Sequence, residues 1–367
     1  MFSVCVVGAG VVGLPLAELF RSKGHKVMVY DNDVQKVMSL RKSESTLTFE
    51  YSPSRIHGND FFVVAVPTMT FSGVPSLDSV RNAVDAIGRS VGPSARGKTI
   101  VIESTVGIGD TRAVCRALFA AGFHVGFSPE RVDLGRVSHE LADIPKIVSG
   151  ADAPSLRAVT RLYESAFGEL VPVESLEVAE GAKLMENAYR ALNIAFANEF
   201  RDACDKHGLD AHKVIDAAST KPYGFEAFRP WVGVGGACIA HDPWFLIKST
   251  GGVRQWPLLR AAIERNDRRP VELARLLGIQ PRNRILVVGV GYKANTSEWR
   301  NSPVTTFIDA LPRETDVYYY DPFITDYPHA TCVDDLSSAS YDAVLVMHPY
   351  MLSTLAPMDN VVYFCNH

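Results

Sequence analysis

A strand-like run, a glycine-spaced turn, a helix-like run, a second strand and an acid follow one another from Phe2 to Asp31. Few folds accommodate that order. Residues 2–7 are largely apolar, the form of a strand buried on both faces. Gly8-Ala9-Gly10-Val11-Val12-Gly13 follows at once, and residues 14–23 have helical spacing with Pro15 tolerated in the first turn. Lys26–Tyr30 reads as a second strand and ends at Asp31. Each part has a task in dinucleotide binding. Gly8 permits the tight turn, Gly10 lets backbone approach a pyrophosphate, and Gly13 lets the helix pack closely on the strand. Val11 and Val12 complete the turn, and the helix N-terminus offers amide donors to the phosphates. Asp31 is expected to bind the ribose diol and repel a 2′-phosphate, favouring NAD over NADP. A glycine turn used only for packing is the alternative.

The alternation continues. Strands are expected over residues 61–66, 99–103 and His124–Phe127, each followed by a polar segment. Those segments are Pro67-Thr68, Ser104-Thr105-Val106 and Ser128-Pro129-Glu130-Arg131. In an open parallel sheet, ligands lie beyond the carboxyl ends of the strands, so these residues are expected to line the cofactor site. Ordinary turn chemistry and helix capping would use the same residue types.

Residues 175–207 read as one long helix. At about 30 residues it could join two domains and supply a dimer contact. Its apolar share exceeds what one buried face needs, so a symmetric homodimer is expected. Lys183 and Asn187 are four apart and project from one face. Taken alone, such a pair is ordinarily a solvated lysine near an amide. A second strand–glycine–turn unit starts at Arg284, with Gly289-Val290-Gly291-Tyr292-Lys293, a helix over residues 303–311 and a strand ending at Asp321. It lacks a third glycine and so reads as a Rossmann-type half that binds something other than a second NAD. The expected fold is α/β: two Rossmann-like domains joined by a long central helix and a helical middle domain. The domain limits are placed at 1–174, 175–268 and 269–367.

Gly233-Val234-Gly235-Gly236-Ala237-Cys238 puts a cysteine behind a glycine-rich turn, with Asp242 four residues on. A simple alcohol dehydrogenase needs no nucleophile. A thiol becomes useful when an aldehyde must be captured and oxidised again, because a thiohemiacetal can release hydride and the thioester can be hydrolysed. The other reading is a small buried hydrophobe in a tight turn.

Composition sets limits. The 367 residues suffice for two or three domains. A net charge of -4 with no basic run offers no footprint for nucleic acid. The six cysteines are scattered without a CxxC, which argues against a disulfide framework and a structural metal. The first strand begins too early for a signal peptide and no apolar run reaches spanning length, so a cytoplasmic protein without a membrane partner is expected.

Blocks along nearly the whole chain now join these pieces. They are GAGVVGLPLA at Gly8, VPT at Val66, STV at Ser104, FSPERVDLG at Phe127, IPKIVSG at Ile144 and EGAKLMENAYRALNIAFANE at Glu180. STKPYGFEAFRPWVGVGGACIAHDP at Ser219 and GVGYKANTSEWRNSP at Gly289 complete the series. Through them the chain resembles the UDP-glucose/GDP-mannose dehydrogenase family of nucleotide-sugar 6-dehydrogenases. SPER, IPKIVSG and STKPYGF resemble its UDP-N-acetylhexosamine branch (UDP-ManNAc or UDP-GlcNAc).

The resemblance implies NAD as cofactor, a UDP-sugar as substrate and a C-terminal UDP-sugar-binding domain. It matches Cys238 to the catalytic thiol, with burial in the glycine turn and nearby Lys183 expected to favour thiolate character. Lys183 and Asn187 match the pair around the reacting sugar carbon, and Asp242 the acid that orders water or tunes the lysine. Glu130 matches the glutamate that helps activate water, and Thr105 a hydroxyl that holds water near the thiol. Pro67, Thr68, His241 and Arg300 fall on the cofactor side. Arg131, Tyr223, Phe225, Gly235, Tyr292 and Lys293 fall on the substrate side, the last as a cation for the pyrophosphate.

Departures from the family pattern occur at Ala237, Ala240 and His241, at Trp231-Val232 where a proline-glycine pair is usual, and in the short segment between Arg41 and Phe61. The chain also stops soon after Tyr363. UDP-glucose remains an alternative substrate. A two-electron dehydrogenase of the wider 6-phosphogluconate-dehydrogenase-like group, and a non-catalytic nucleotide-sugar-binding homologue, remain alternative functions.

Overall fold

The computed structural model describes residues 1–43, 45–69, 74–131, 141–236, 238–333, 336, 341–348 and 361–364. The chain divides into two compact units, Met1–Glu186 with Trp244–Gly252, and Asn187–Pro243 with Val253–His367.

The first unit is a sheet with helices on its faces. Its strands are β1 (Ser3–Val7), β2 (Lys26–Tyr30), β3 (Thr48–Glu50), β4 (Phe61–Val64), β5 (Thr99–Ile102), β6 (His124–Phe127), β7 (Lys146–Gly150) and β8 (Leu170–Pro172). Its helices are α1 (Gly13–Ser22), α2 (Val34–Leu40), α3 (Asp78–Val91), α4 (Asp110–Val114), α5 (Arg116–Ala120) and α6 (Ala153–Tyr163). The strand order is β3-β2-β1-β4-β5-β6-β7-β8. The β1/β4 and β1/β2 neighbours make β1 the point where the order reverses, which is where a doubly wound sheet opens its ligand crevice. The expected parallel pairing needs one correction, because β6 and β7 run antiparallel. Two expected strands also end early, at Val64 and Ile102, which leaves 65–66 and Glu103 to the turns. Fully buried runs explain the strands: β4 and β5 are buried at every position, the pattern of a sheet covered on both faces.

Helix α7 (Leu176–Lys206) covers the long expected helix almost to the residue, and the boundary between the two units falls within it. The second unit holds α8 (Ala211–Ser219), α10 (Pro257–Leu276) and α11 (Pro303–Asp309), while α9 (Cys238–Ser249) again runs across a boundary. Its parallel sheet has the order β11-β10-β9-β12-β13, with β9 at Arg284–Val288, β10 at Asp316–Tyr320, β11 at Thr331–Cys332, β12 at Ala343–Val346 and β13 at Val361–Tyr363. The core packs Val287, Val304, Phe307 and Leu345 with Val232 from the segment before the cysteine.

Candidate active site

The first unit builds a dinucleotide cradle. A Cβ on Gly8 would meet the Ala65 carbonyl oxygen at 2.1 Å, and one on Gly13 would meet the Gly8 carbonyl oxygen at 1.9 Å. Packing alone therefore requires those two glycines. A Cβ on Gly10 would meet nothing within 4 Å. The open side of the turn is at the middle glycine, where a pyrophosphate must approach backbone. Val11 beside it is 68% exposed. No side chain caps α1 at Val12, so the helix presents its first amides to an anionic ligand.

Asp31 directly follows β2 and accepts from the amides of Ala9 at 2.9 Å and Asp33 at 3.0 Å, and from Lys36 Nζ at 3.2 Å. Burial pushes its carboxyl up, but these donors outweigh it and hold the group below the usual carboxylate range. An ionised acid behind an open glycine turn fits NAD.

The turns after β4, β5 and β6 lie on the same carboxyl edge. Ser104 Oγ accepts from the Val66 amide and reaches the Val66 carbonyl, both at 2.8 Å, which ties the turn of Pro67 and Thr68 to that of Thr105. Pro67 is exposed, Thr68 buried and Thr105 half-buried.

Helix α7 buries Leu176, Ala179, Glu180, Lys183, Leu184, Asn187, Ala188 and Ala191 at three- and four-residue spacing. Three of these are polar. The Glu180 carboxylate accepts from the Gly109 amide at 2.6 Å and the Thr111 amide at 2.9 Å, which fixes the start of α4. Lys183 is 7% exposed and donates to the Glu130 backbone carbonyl at 2.5 Å, so it is no solvated lysine. Arg131 is tied to Glu186 at 2.5 Å and to the Pro145 carbonyl at 2.9 Å.

In the second unit Asn187 Nδ2 donates to Asp242 Oδ2 at 2.6 Å, with both side chains buried. Cys238 is the first residue of α9 and is exposed. The expected burial is therefore corrected. Burial would also have worked against reactivity: it pushes the Cys115 thiol up to about 12.

The glycines before the cysteine are held close to their neighbours. A Cβ on Gly235 would meet Pro303 Cδ at 2.6 Å and Tyr292 Cβ at 2.9 Å, and one on Gly236 would meet the Tyr292 ring at 2.7 Å. Gly236 has φ +74° and donates its amide to the Asn301 carbonyl at 3.1 Å. Ala237 lies outside the described residues. Trp231, one of the noted departures from the family pattern, donates its indole N–H to the Met347 carbonyl at 2.7 Å. His241 and Lys293 are half-buried, and burial lowers the His241 pKa. Tyr223 and Phe225 are 72% and 41% exposed on the segment after α8. Arg300 is exposed and pairs with Glu298 at 2.7 Å.

The family resemblance is now testable against known proteins. The UDP-glucose/GDP-mannose dehydrogenase family matches through its NAD binding domain over residues 2–56 and 44–167 and its central domain over 177–268. Its UDP binding domain matches residues 286–354. The UDP-N-acetyl-D-mannosamine dehydrogenase of Pyrococcus horikoshii is 30% identical over 359 residues, which cover 88% of this chain and 84% of the relative. The chain belongs to this family. It is an NAD-dependent nucleotide-sugar dehydrogenase.

The UDP-N-acetyl-D-glucosamine 6-dehydrogenase of Salmonella typhi is 29% identical to this dehydrogenase over 383 residues, covering 94% of the chain and 88% of the relative. A solved structure of UDP-D-ManNAc dehydrogenase from Pyrococcus horikoshii shares the fold with a TM-score of 0.84 at 27% identity. It covers 95% of this chain and 90% of that one.

Sequence reasoning passed over Glu103, Lys146, Tyr163 and Glu180, although Lys146 and Glu180 stand inside quoted blocks. The available signal was a charge set in an apolar run, as Lys146 is between Pro145 and Ile147-Val148. No helix among the described residues is long and apolar enough to cross a membrane.

Proposed function

We propose that this dehydrogenase carries out a four-electron oxidation of the C6 hydroxyl of a UDP-N-acetylhexosamine to the uronate, consuming two NAD. The observation that carries this reading is the exposed thiol of Cys238, which heads α9 four residues before the buried Asp242–Asn187 pair. An alcohol oxidation that stopped at the aldehyde would give that thiol no role.

NAD, when bound, accepts the hydride of each oxidation. The turn at Gly10 with Val11, Val12 and Asp31 holds it, with Pro67, Thr68, Thr105, His241 and Arg300 on its side of the site. Cys238 adds to the aldehyde carbon, and Lys183 and Asn187 are assigned to stabilise the charge on the thiohemiacetal oxygen. Loss of the second hydride leaves a thioester. Glu130 and Thr105 then prepare water for its hydrolysis. Lys293, Tyr292, Gly235, Arg131, Tyr223 and Phe225 serve the UDP-sugar.

The acetamido preference is supported by the two relatives, which are named for UDP-ManNAc and UDP-GlcNAc. An NADH assay across UDP-ManNAc, UDP-GlcNAc and UDP-glucose tests it. A preference for glucose of more than about tenfold in kcat/KM, roughly 1.4 kcal/mol of transition-state binding, overturns the acetamido assignment.

The same reading takes the chain as three domains at 1–174, 175–268 and 269–367, and as a cytoplasmic homodimer. Met185, Tyr189 and Phe196 on α7 are 62%, 40% and 65% exposed, an apolar face that a second copy would cover. Light scattering that showed a monomer during turnover would exclude the dimer.

A further inference from the structure

A buried ion pair lies behind the turns that carry Thr105 and Glu130. Glu103 is 1% exposed and Lys146 is 3% exposed. Lys146 Nζ donates to Glu103 Oε2 at 2.7 Å, and the Tyr163 hydroxyl donates to Oε1. The ammonium also donates to the Pro129 carbonyl at 2.9 Å and packs over the rings of Tyr163 and Phe167 at 5.6 and 5.4 Å. Stability does not explain such a pair, because apolar residues of similar volume are often as good or better.

Its connections offer an explanation. Glu103 immediately precedes Ser104-Thr105, and Pro129 immediately precedes Glu130. Lys146 holds the Pro129 carbonyl, while Lys183 holds the next carbonyl, that of Glu130, at 2.5 Å. Ser128 Oγ donates to the Ile147 carbonyl at 2.7 Å and fixes the start of the turn. Burial pushes the Glu103 carboxyl up to about 7 against the pull of Lys146, and the charge of Glu130 adds to the rise.

We propose that Glu103 and Lys146 form a positioning unit that sets Glu130 and Thr105 for the water that hydrolyses the thioester. This rests on the role proposed above for Glu130. In that step Glu130 takes one proton from water, and the water oxygen bonds to the acyl carbon. The carbon–sulfur bond breaks with its electron pair on Cys238 sulfur, which takes up the proton held by Glu130, and the acid product ionises by releasing water's other proton to solvent. No electrons pass to NAD, so both oxidations precede the step and do not depend on the pair.

The test uses Lys146→Met and the double variant Glu103→Gln/Lys146→Met, which leaves no unpaired charge if the single variant fails to fold. Stopped-flow traces with NAD and the best UDP-sugar should show a burst of two NADH per site. A steady rate lower by about 10²-fold should follow, the order expected for a misplacement near 1 Å, with the apparent KM values falling alongside kcat because the acyl form accumulates. Acid-quenched enzyme should carry the acyl mass on Cys238, as should the reference variant Glu130→Gln. Wild-type steady rates without acylated Cys238 in both pair variants, beside an acylated Glu130→Gln, overturn the proposal. A Glu130→Gln enzyme that never accumulates the acyl form overturns the role of Glu130, and the proposal with it.

Discussion

Asn187 Nδ2 lies 2.6 Å from Asp242 Oδ2, and both side chains are buried. A carboxylate accepts only, so the pairing fixes which end of the Asn187 amide faces it. On the proposed mechanism the second N–H of the amide is the donor for the oxyanion. Asn187→Ala is expected to lower kcat by about 10²–10³, the usual loss for one oxyanion donor. Asp242→Asn should keep the fold and lose rate through a turned amide. Steady-state kinetics beside thermal melts check this, and an unchanged kcat in Asn187→Ala would remove the donor role.

Cys238→Ala is expected to abolish uronate formation while NAD and nucleotide-sugar binding persist, since the exposed thiol holds no core in place. Mass spectrometry of the products and calorimetric binding decide it. Two NADH per sugar from the variant would falsify the covalent mechanism.

Asp31 is ionised at neutral pH because the Ala9 and Asp33 amides and Lys36 outweigh its burial. NADP should therefore be a poor substrate, and Asp31→Ala should narrow the gap between the cofactors. Lys36, released from its partner, would then face the 2′-phosphate. Equal kcat/KM for NAD and NADP in the wild-type enzyme contradicts this.

His348 is buried and bonds the Gly291 carbonyl through Nε2 at 2.8 Å, with its ring 5.2 Å from that of Trp231. Burial lowers its pKa below 6.5, against the opposing pull of the Gly291 carbonyl and Asp321. The unfolded chain then binds the proton more readily than the folded one. Stability from this group is complete above the unfolded value and is lost as pH falls through the folded one. Between about pH 7.5 and 5.5 the wild-type Tm should fall more steeply than that of His348→Gln. Parallel slopes would clear His348 of the effect.

Much of this was legible in the chain. The period of α7 and the order from β1 to Asp31 are local patterns, and both were recovered nearly to the residue. The exposure of Cys238 was not, because a glycine turn reads the same whether it closes over a thiol or starts a helix. The Glu103–Lys146 pair was hidden for another reason. It joins residues 43 positions apart, one just past β5 and one on β7, and a lone charge in an apolar run does not name its partner. The reversed β7 was equally invisible, since buried strands carry no mark of direction.

The three glycines of the first turn are not equivalent. Gly8 and Gly13 press against carbonyl oxygens, whereas Gly10 faces open space. A methyl group at Gly10 would leave the empty protein undisturbed and intrude only on an occupant. That position alone therefore offers a way to uncouple folding from cofactor occupancy, leaving an intact scaffold unable to load its oxidant.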